Sequence, residues 1–423
     1  MRLFKNILFL ALLATIYSCI GSSSETTELD VQIDTLSIDR HLQVLASDDF
    51  MGRKPFTEGE EKTIHYLESE LKAMGVAPGN GDSYFQDVPL VEITGTQSPT
   101  MVVKGKGKTM TFNTLSDVVV YTERPEEMTQ IKDSELVYAG YGIVAPEYGW
   151  NDYEGLNVEG KTVVVLVNDP GFVSGDSTFF KGEEMTYYGR WTYKYEEAAR
   201  QGAAGVLIVH ETVPAGYPWL VVQSSWTGSK LNLDDPNAGY KCPIQGWITR
   251  STAVELFKEA GIKDYSEIAK TKDFKPIPMG LTASVSVTNE VKREMSRNVV
   301  GMVKGSTRPD EYIIYSAHWD HLGVGEPIDG DSIYNGAHDN ASGSTGLLAI
   351  AETFAKLEKK PERSVVFLFV TAEEQGLLGS AYYAQNPIFP PNQSVANINI
   401  DGLPAYGEMK DFTSQILSVP LVV

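Results

Sequence analysis

The sequence predicts an α/β fold: a mixed, largely parallel sheet sandwiched by helices, with a second, mainly β module inserted into it. Three observations carry that expectation. First, the runs 312–315, 364–370 and 395–400 are almost continuously apolar and alternate with helical stretches. Strands of that kind belong to a sheet buried on both faces. One intervening helix carries Leu347, Leu348, Ile350, Ala351, Phe354 and Leu357. Second, Ile64, Leu67, Leu71 and Met74 recur at helical spacing over 57–74, and Gly75 supplies a stop. Third, between 117 and 288 the texture changes to short β runs, turn clusters and few helices. Strands are expected at 136–143, 162–167 and 206–209, with a short helix carrying Tyr195, Ala198 and Ala199 between the last two.

Composition sets the outer bounds. A chain of 423 residues holds two or three domains, or one large domain with an insertion. A hydrophobic fraction of 42% is enough to build cores, which excludes wholesale disorder. Lys and Arg number 35 against 56 Asp and Glu, a net charge of −21 that would repel a nucleic-acid backbone. Only Cys19 and Cys242 are present, so no disulfide framework holds the fold.

The first residues read as an address. Arg2 and Lys5 precede a short apolar run over 7–16, and Ser18 and Cys19 follow. Ile16-Tyr17-Ser18-Cys19 resembles a bacterial lipobox, which implies a signal over 1–19, a flexible tether over 20–32, and membrane attachment only through a lipidated Cys19. The expected protein is exported and anchored at the periplasmic or cell surface; the alternative is an ordinary cleaved signal.

One motif is a decoy. Residues 155–162 spell Gly, four residues, Gly-Lys-Thr, as a phosphate loop does. That chemistry needs a helix N-terminus after the loop, whereas here an apolar β run follows Lys161 directly.

The chemistry lies at the ends of the late strands. The first runs into Ser316-Ala317-His318-Trp319-Asp320-His321, the next into Thr371-Ala372-Glu373-Glu374, and the last ends at Asp401. Asn335-Gly336-Ala337-His338-Asp339-Asn340-Ala341-Ser342-Gly343 opens the long helix between them. Sites in open α/β sheets form beyond the carboxyl ends of the strands. Each cluster alone has a structural explanation as a surface pair, a helix start or a cap. Together they gather imidazoles and carboxylates suited to zinc, with one carboxylate able to bridge two ions.

These motifs, with Asn399-Ile400-Asp401 and the run from Thr371 to Ser380, resemble the M28 family of zinc metallopeptidases, which have a phosphorylase/hydrolase-like fold. The run from Lys194 to Ile208 resembles a protease-associated domain. The resemblance implies a discontinuous peptidase domain over 33–116 and 289–423, with the protease-associated module at 117–288. It implies two zinc ions: His318 and Asp401 on one, Asp339 bridging, Glu374 on the second. Asp320 would orient His318, and Glu373 would be the general base. His321 and His338 sit beside these positions but outside the family's ligand set. His41 and His65 read as packing or surface residues.

The family also supplies a final His ligand well after Asp401, and none of the six histidines here follows His338. A chain shortened or frame-shifted at its C-terminus, with an incomplete second site, is therefore expected. The implied function is an exported zinc exopeptidase acting on peptides or small proteins, an aminopeptidase more than a carboxypeptidase. The alternative is a catalytically impaired peptide-binding surface lipoprotein. Zinc against cobalt or manganese, side-chain preference and oligomeric state stay open.

Overall fold

The computed structural model describes residues 32–403 except 175 and 237–238. The expected signal, nearly all of the tether and the residues after 403 lie outside the described residues. Helix α1 (Thr35–Leu45) starts where the Asp34 carboxylate accepts the Leu36 N–H. Helix α2 (Glu58–Ala73) is capped by the Thr57 hydroxyl. Its predicted stripe is buried, with Ile64, Leu67 and Leu71 fully covered, and Gly75 follows with a φ of +76°.

A long strand, β1 (Phe85–Gln97), leads to β2 (Met128–Tyr138) and β3 (Thr162–Leu166). Helix α3 (Trp191–Arg200), β4 (Gly205–His210), β5 (Ser229–Leu233) and β6 (Ile244–Thr249) follow. Strands β2, β3, β4 and β6 pair in parallel in that order. Alternate residues of β3 serve two cores. Val163 and Val165 pack with Ala198 and Trp247, while Val164 and Leu166 pack with Tyr138 and Phe257. Residues 155–162 form a turn that enters β3, and no helix begins there. Cys242 is fully buried, and burial pushes its thiol up to about 12, so it behaves as a small apolar core residue.

The next strand, β7 (Ile277–Val303), is 27 residues long and belongs to both halves of the molecule. Its first part pairs antiparallel with β2, and its last part pairs antiparallel with a strand of the candidate site. Strand β1 runs beside it from Gln97 opposite Val287 to Phe85 opposite Val299. The boundary expected between 288 and 289 thus falls inside one continuous strand. Beyond it come β8 (Arg308–His318), helix α4 (Gly343–Lys356), β9 (Arg363–Val370), helix α5 (Leu378–Gln385) and β10 (Ser394–Asn399). Strand β8 pairs in parallel with both β9 and β10, and β9 lies antiparallel to β7. Helices α1, α2 and α4 cover one face, where Leu67, Leu71, Leu347, Leu348, Phe367 and Phe369 form a core. Among the described residues no helix is long and apolar enough to cross a membrane.

Candidate metal centre

Parallel pairing of β8, β9 and β10 sends their carboxyl ends to one edge. His318 is the last residue of β8, Glu373 and Glu374 occupy the turn between β9 and α5, and Asp401 lies just past β10. Asp339 comes from the irregular turn Ala337–Ser342 that precedes α4. The four positions expected to hold metal do converge. His318 Nε2 lies 3.3 Å from Asp339 Oδ1, 3.3 Å from Asp401 Oδ1 and 3.8 Å from Glu373 Oε2. Ligand atoms sharing one tetrahedral zinc ion at ~2.0–2.2 Å sit roughly 3.4 Å apart, close to these separations.

Donor atoms fall into two groups, each within 4.8 Å: His318, Glu373 and Asp401, and His321, Asp339 and Glu374. His321, outside the set expected from sequence, points Nδ1 at Glu374 Oε1 at 2.5 Å. Its backbone N–H donates to Arg53 O, which holds the loop after β8 in the orientation that makes this contact. His338 is exposed, and its ring lies over Gly402, where an added Cβ would come within 2.8 Å of it. His65 is exposed beside Glu61 and Glu68, and His41 is buried against Tyr66.

Asp320 is fully buried and has a wider task than facing His318, whose Nδ1 is 3.7 Å away. Its two carboxylate oxygens accept the backbone N–H groups of Glu373, at 3.0 Å, and Glu374, at 3.3 Å. One carboxylate therefore fixes the turn that presents both glutamates. The buried Asn340 performs the same service for Asp339 and Asp401. Its amide donates to Ile400 O and accepts from Gly343 N and Gly402 N, tying the start of α4 to the end of β10.

Arg53 had no functional signal in sequence. Its guanidinium is buried and donates to Trp319 O, Leu45 O, Asn335 O and Gly336 O at 2.6–2.9 Å. It thereby fastens both metal-ligand loops to the N-terminal segment. Burial lowers its pKa to about 10, and Asp320, Asp339 and Glu374 oppose the fall.

Five carboxylates meet two imidazoles and one fully committed guanidinium. Burial disfavours the charged form of His318, but Asp320, Glu373 and Asp401 outweigh it and raise its pKa to about 9. Burial likewise pushes Glu373 up to about 7, aided by Asp320, Asp401 and Glu374 and opposed by His318. Negative charge converging in this way is stabilised by cations, and oxygen and nitrogen donors in triads suit divalent zinc. The residues present fit such ions.

Comparison with known proteins agrees with this chemistry. The family model "Peptidase family M28" matches residues 298–419. Aminopeptidase NAALADL1 of Mus musculus is 36% identical over 129 residues, covering 29% of this chain and 16% of that protein. A "Probable zinc metalloprotease" of Pyricularia oryzae is 35% identical over 106 residues, covering 25% and 19%. The "Glutamate carboxypeptidase 2 homolog" of Caenorhabditis elegans is 23% identical over 320 residues, covering 63% and 38%. This chain thus spans well under half the length of these relatives. Among solved structures, an aminopeptidase from Aneurinibacillus sp. strain AM-1 aligns over 88% of this chain and 70% of its own, at 20% identity and a TM-score of 0.48. Every residue of the two donor groups lies inside the segment that matches the model of peptidase family M28, so it is the metal-site part of the chain that is similar to that family.

Proposed function

We propose that the protein is a zinc-dependent exopeptidase, an aminopeptidase in the first instance, exported and anchored through Cys19. The observation that carries the reading is the convergence of His318, Asp339, Glu373, Glu374 and Asp401 from four separate segments onto one sheet edge. His318, Glu373 and Asp401 are grouped at one position, and Asp339 and Glu374 at the other with His321 as a nitrogen donor; Asp339 reaches both. Two bound divalent ions would supply Lewis acidity toward the scissile carbonyl and lower the pKa of an attacking water.

The chain's own groups do the rest. Glu373, with its pKa raised to about 7, is suited to take a proton from that water and return it to the leaving amine near neutral pH. Asp320 holds Glu373 and Glu374 in register so that one carboxylate serves binding while its neighbour moves the proton. No serine or cysteine is required, so hydrolysis proceeds without a covalent enzyme intermediate. Export rests on the 1–19 pattern alone.

Aminoacyl-p-nitroanilides assayed with added zinc test the reading. Hydrolysis abolished by a chelator, and reduced about 10²–10⁴-fold in Glu373→Gln with metal content retained, supports it. A zinc-loaded protein that binds peptides and cleaves none refutes it in favour of a binding lipoprotein.

A further inference from the structure

The register between β7 and β9 ends at the pair Val299 and Phe369, two residues before Thr371. Beyond that point two side chains of β7 take over from its backbone. Asn298 Oδ1 accepts the Thr371 N–H at 3.0 Å, and Asn298 Nδ2 donates to Gly379 O and to Gln86 Oε1, each at 3.0 Å. Ser296 lies two residues earlier, on the same face of the strand. Its hydroxyl donates to Glu60 Oε1 at 2.6 Å, so the Thr371 hydroxyl, 2.6 Å away, donates to Ser296. The other oxygen of Glu60 accepts the Phe56 N–H. Ser296, Asn298 and Thr371 are fully buried, and each has its partners. Gln86 stands directly opposite Asn298 in the β1 ladder and donates onward to Asn386 O, so this pair grips α5 near both of its ends.

Thr371 opens the turn that carries Glu373 and Glu374, and Gly379 closes it by donating its N–H to Thr371 O. A Cβ at Gly379 would stand 2.5 Å from Asn298 Oδ1, so closing the turn around this amide requires glycine. Between the two ends Ala372 has a φ of +50°. A residue with a Cβ keeps that left-handed conformation only where the structure on either side enforces it. Asp320 fixes the Glu373 side, and Asn298 with Ser296 fixes the Thr371 side. Apolar side chains of similar volume would hold β7 against the turn at no loss of stability, whereas a fully satisfied polar network selects one geometry.

We propose that Asn298 and Ser296 are positioning residues for Glu373 and Glu374, acting through Thr371 at the root of their turn. The inference rests on the peptidase reading for the work that Glu373 does. Neither residue is among the grouped metal donors. Both stand on β7 where β1 pairs with it, Ser296 opposite Val88 and Asn298 opposite Gln86. The turn therefore takes its place from the long strand pair, and not from the packing of α5 alone. Such placement matters because a shift of about 1 Å in a reacting group can cost about a hundredfold in rate.

The test compares Asn298→Ala, Thr371→Val and Thr371→Ser in the full-length chain. Thr162→Val serves as a reference, because it deletes a buried hydroxyl contact of the same kind, to Ser134 at 2.9 Å, on β3. Zinc affinity is read by equilibrium dialysis, kcat and KM on an aminoacyl-p-nitroanilide at saturating zinc, and stability in urea. Asn298→Ala should lose about 10–100-fold in kcat and bind at least one zinc ion about tenfold more weakly, with KM within about threefold. Thr371→Val should lose about three- to tenfold in kcat, and Thr371→Ser, which restores the hydroxyl, should recover it. Thr162→Val should lose stability and keep its kcat, KM and zinc affinity. Unchanged kcat and zinc affinity in both Asn298→Ala and Thr371→Val, no recovery in Thr371→Ser, or an equal loss in Thr162→Val overturns the proposal. Should Asn298→Ala not fold, the two Thr371 variants decide the matter. A native chain that takes up zinc and hydrolyses nothing removes the peptidase reading alone, and zinc affinity in the same variants then decides the positioning role.

Discussion

Replacing Arg53 with Met keeps most of the side chain's apolar stem and deletes all its donors. Four carbonyls lose their partner: Trp319 O at 2.9 Å, Leu45 O at 2.6 Å, Asn335 O at 2.6 Å and Gly336 O at 2.8 Å. Asn335 O and Gly336 O lie nearer the surface and can recruit water, whereas the other two are buried. An orphaned buried acceptor costs about 1–3 kcal/mol, and part of this is offset because a guanidinium no longer has to be desolvated. Arg53→Met should therefore lower the unfolding free energy by about 2–4 kcal/mol. The lost cation also faced Asp320, Asp339 and Glu374. Repulsion among these carboxylates rises without it, so the loss should be larger in chelator than in zinc. Urea unfolding followed by tryptophan fluorescence, with and without zinc, measures both quantities. Arg53→Lys restores the charge but only three donors from a single point, and should recover a fraction of the loss. An Arg53→Met variant within about 0.5 kcal/mol of the parent under both conditions would refute the pinning role.

Asp320→Asn leaves one amide oxygen to serve two backbone N–H groups, and should cut activity or metal affinity about 10–100-fold with the fold retained; peptide kinetics and equilibrium dialysis against zinc read this. Burial, reinforced by Arg40, holds the His41 pKa down at about 4 against 6.5 in an unfolded chain, so between those values the unfolded state binds the extra proton. Stability from this group is complete above pH 6.5 and declines as pH falls toward 4, by up to about 3 kcal/mol, and His41→Gln should flatten that part of the urea-midpoint profile. Zinc at about a hundredfold its Kd should add about 2.7 kcal/mol per occupied site to the unfolding free energy, seen as a Tm rise that a chelator reverses.

The metal-type residues were legible because each sits at a strand end or a helix start, where local sequence alone marks both the element and the reactive group. Their supports were not. Arg53 meets its partners in Trp319 and Asn335 across 266 and 282 residues, and nothing near it in sequence announces an electropositive clasp. Asn340 stood inside a recognised motif, but its task is to join α4 to the chain 60 residues later. His321 stands in the same motif as His318 but outside the expected ligand positions; its contact with Glu374 depends on how the loop after β8 folds back on Arg53. The continuity of β7 could have been read. Met279, Leu281, Ala283, Val285 and Val287 are buried in strict alternation, and Asn289 continues it across the expected boundary.

That strand has a mechanical consequence. A module hung on flexible connections can swing over a cleft like a hinged cover, but β7 is one uninterrupted beam running from the strands of 128–249 to the sheet that carries the metal edge, with β1 alongside it for thirteen registered positions. Bending it between 289 and 298 would break its ladder with β1. Access to the metal edge must therefore be regulated by loops and side chains, and excising residues 117–288 would cut the beam and leave its partner strand as a bare, aggregation-prone margin.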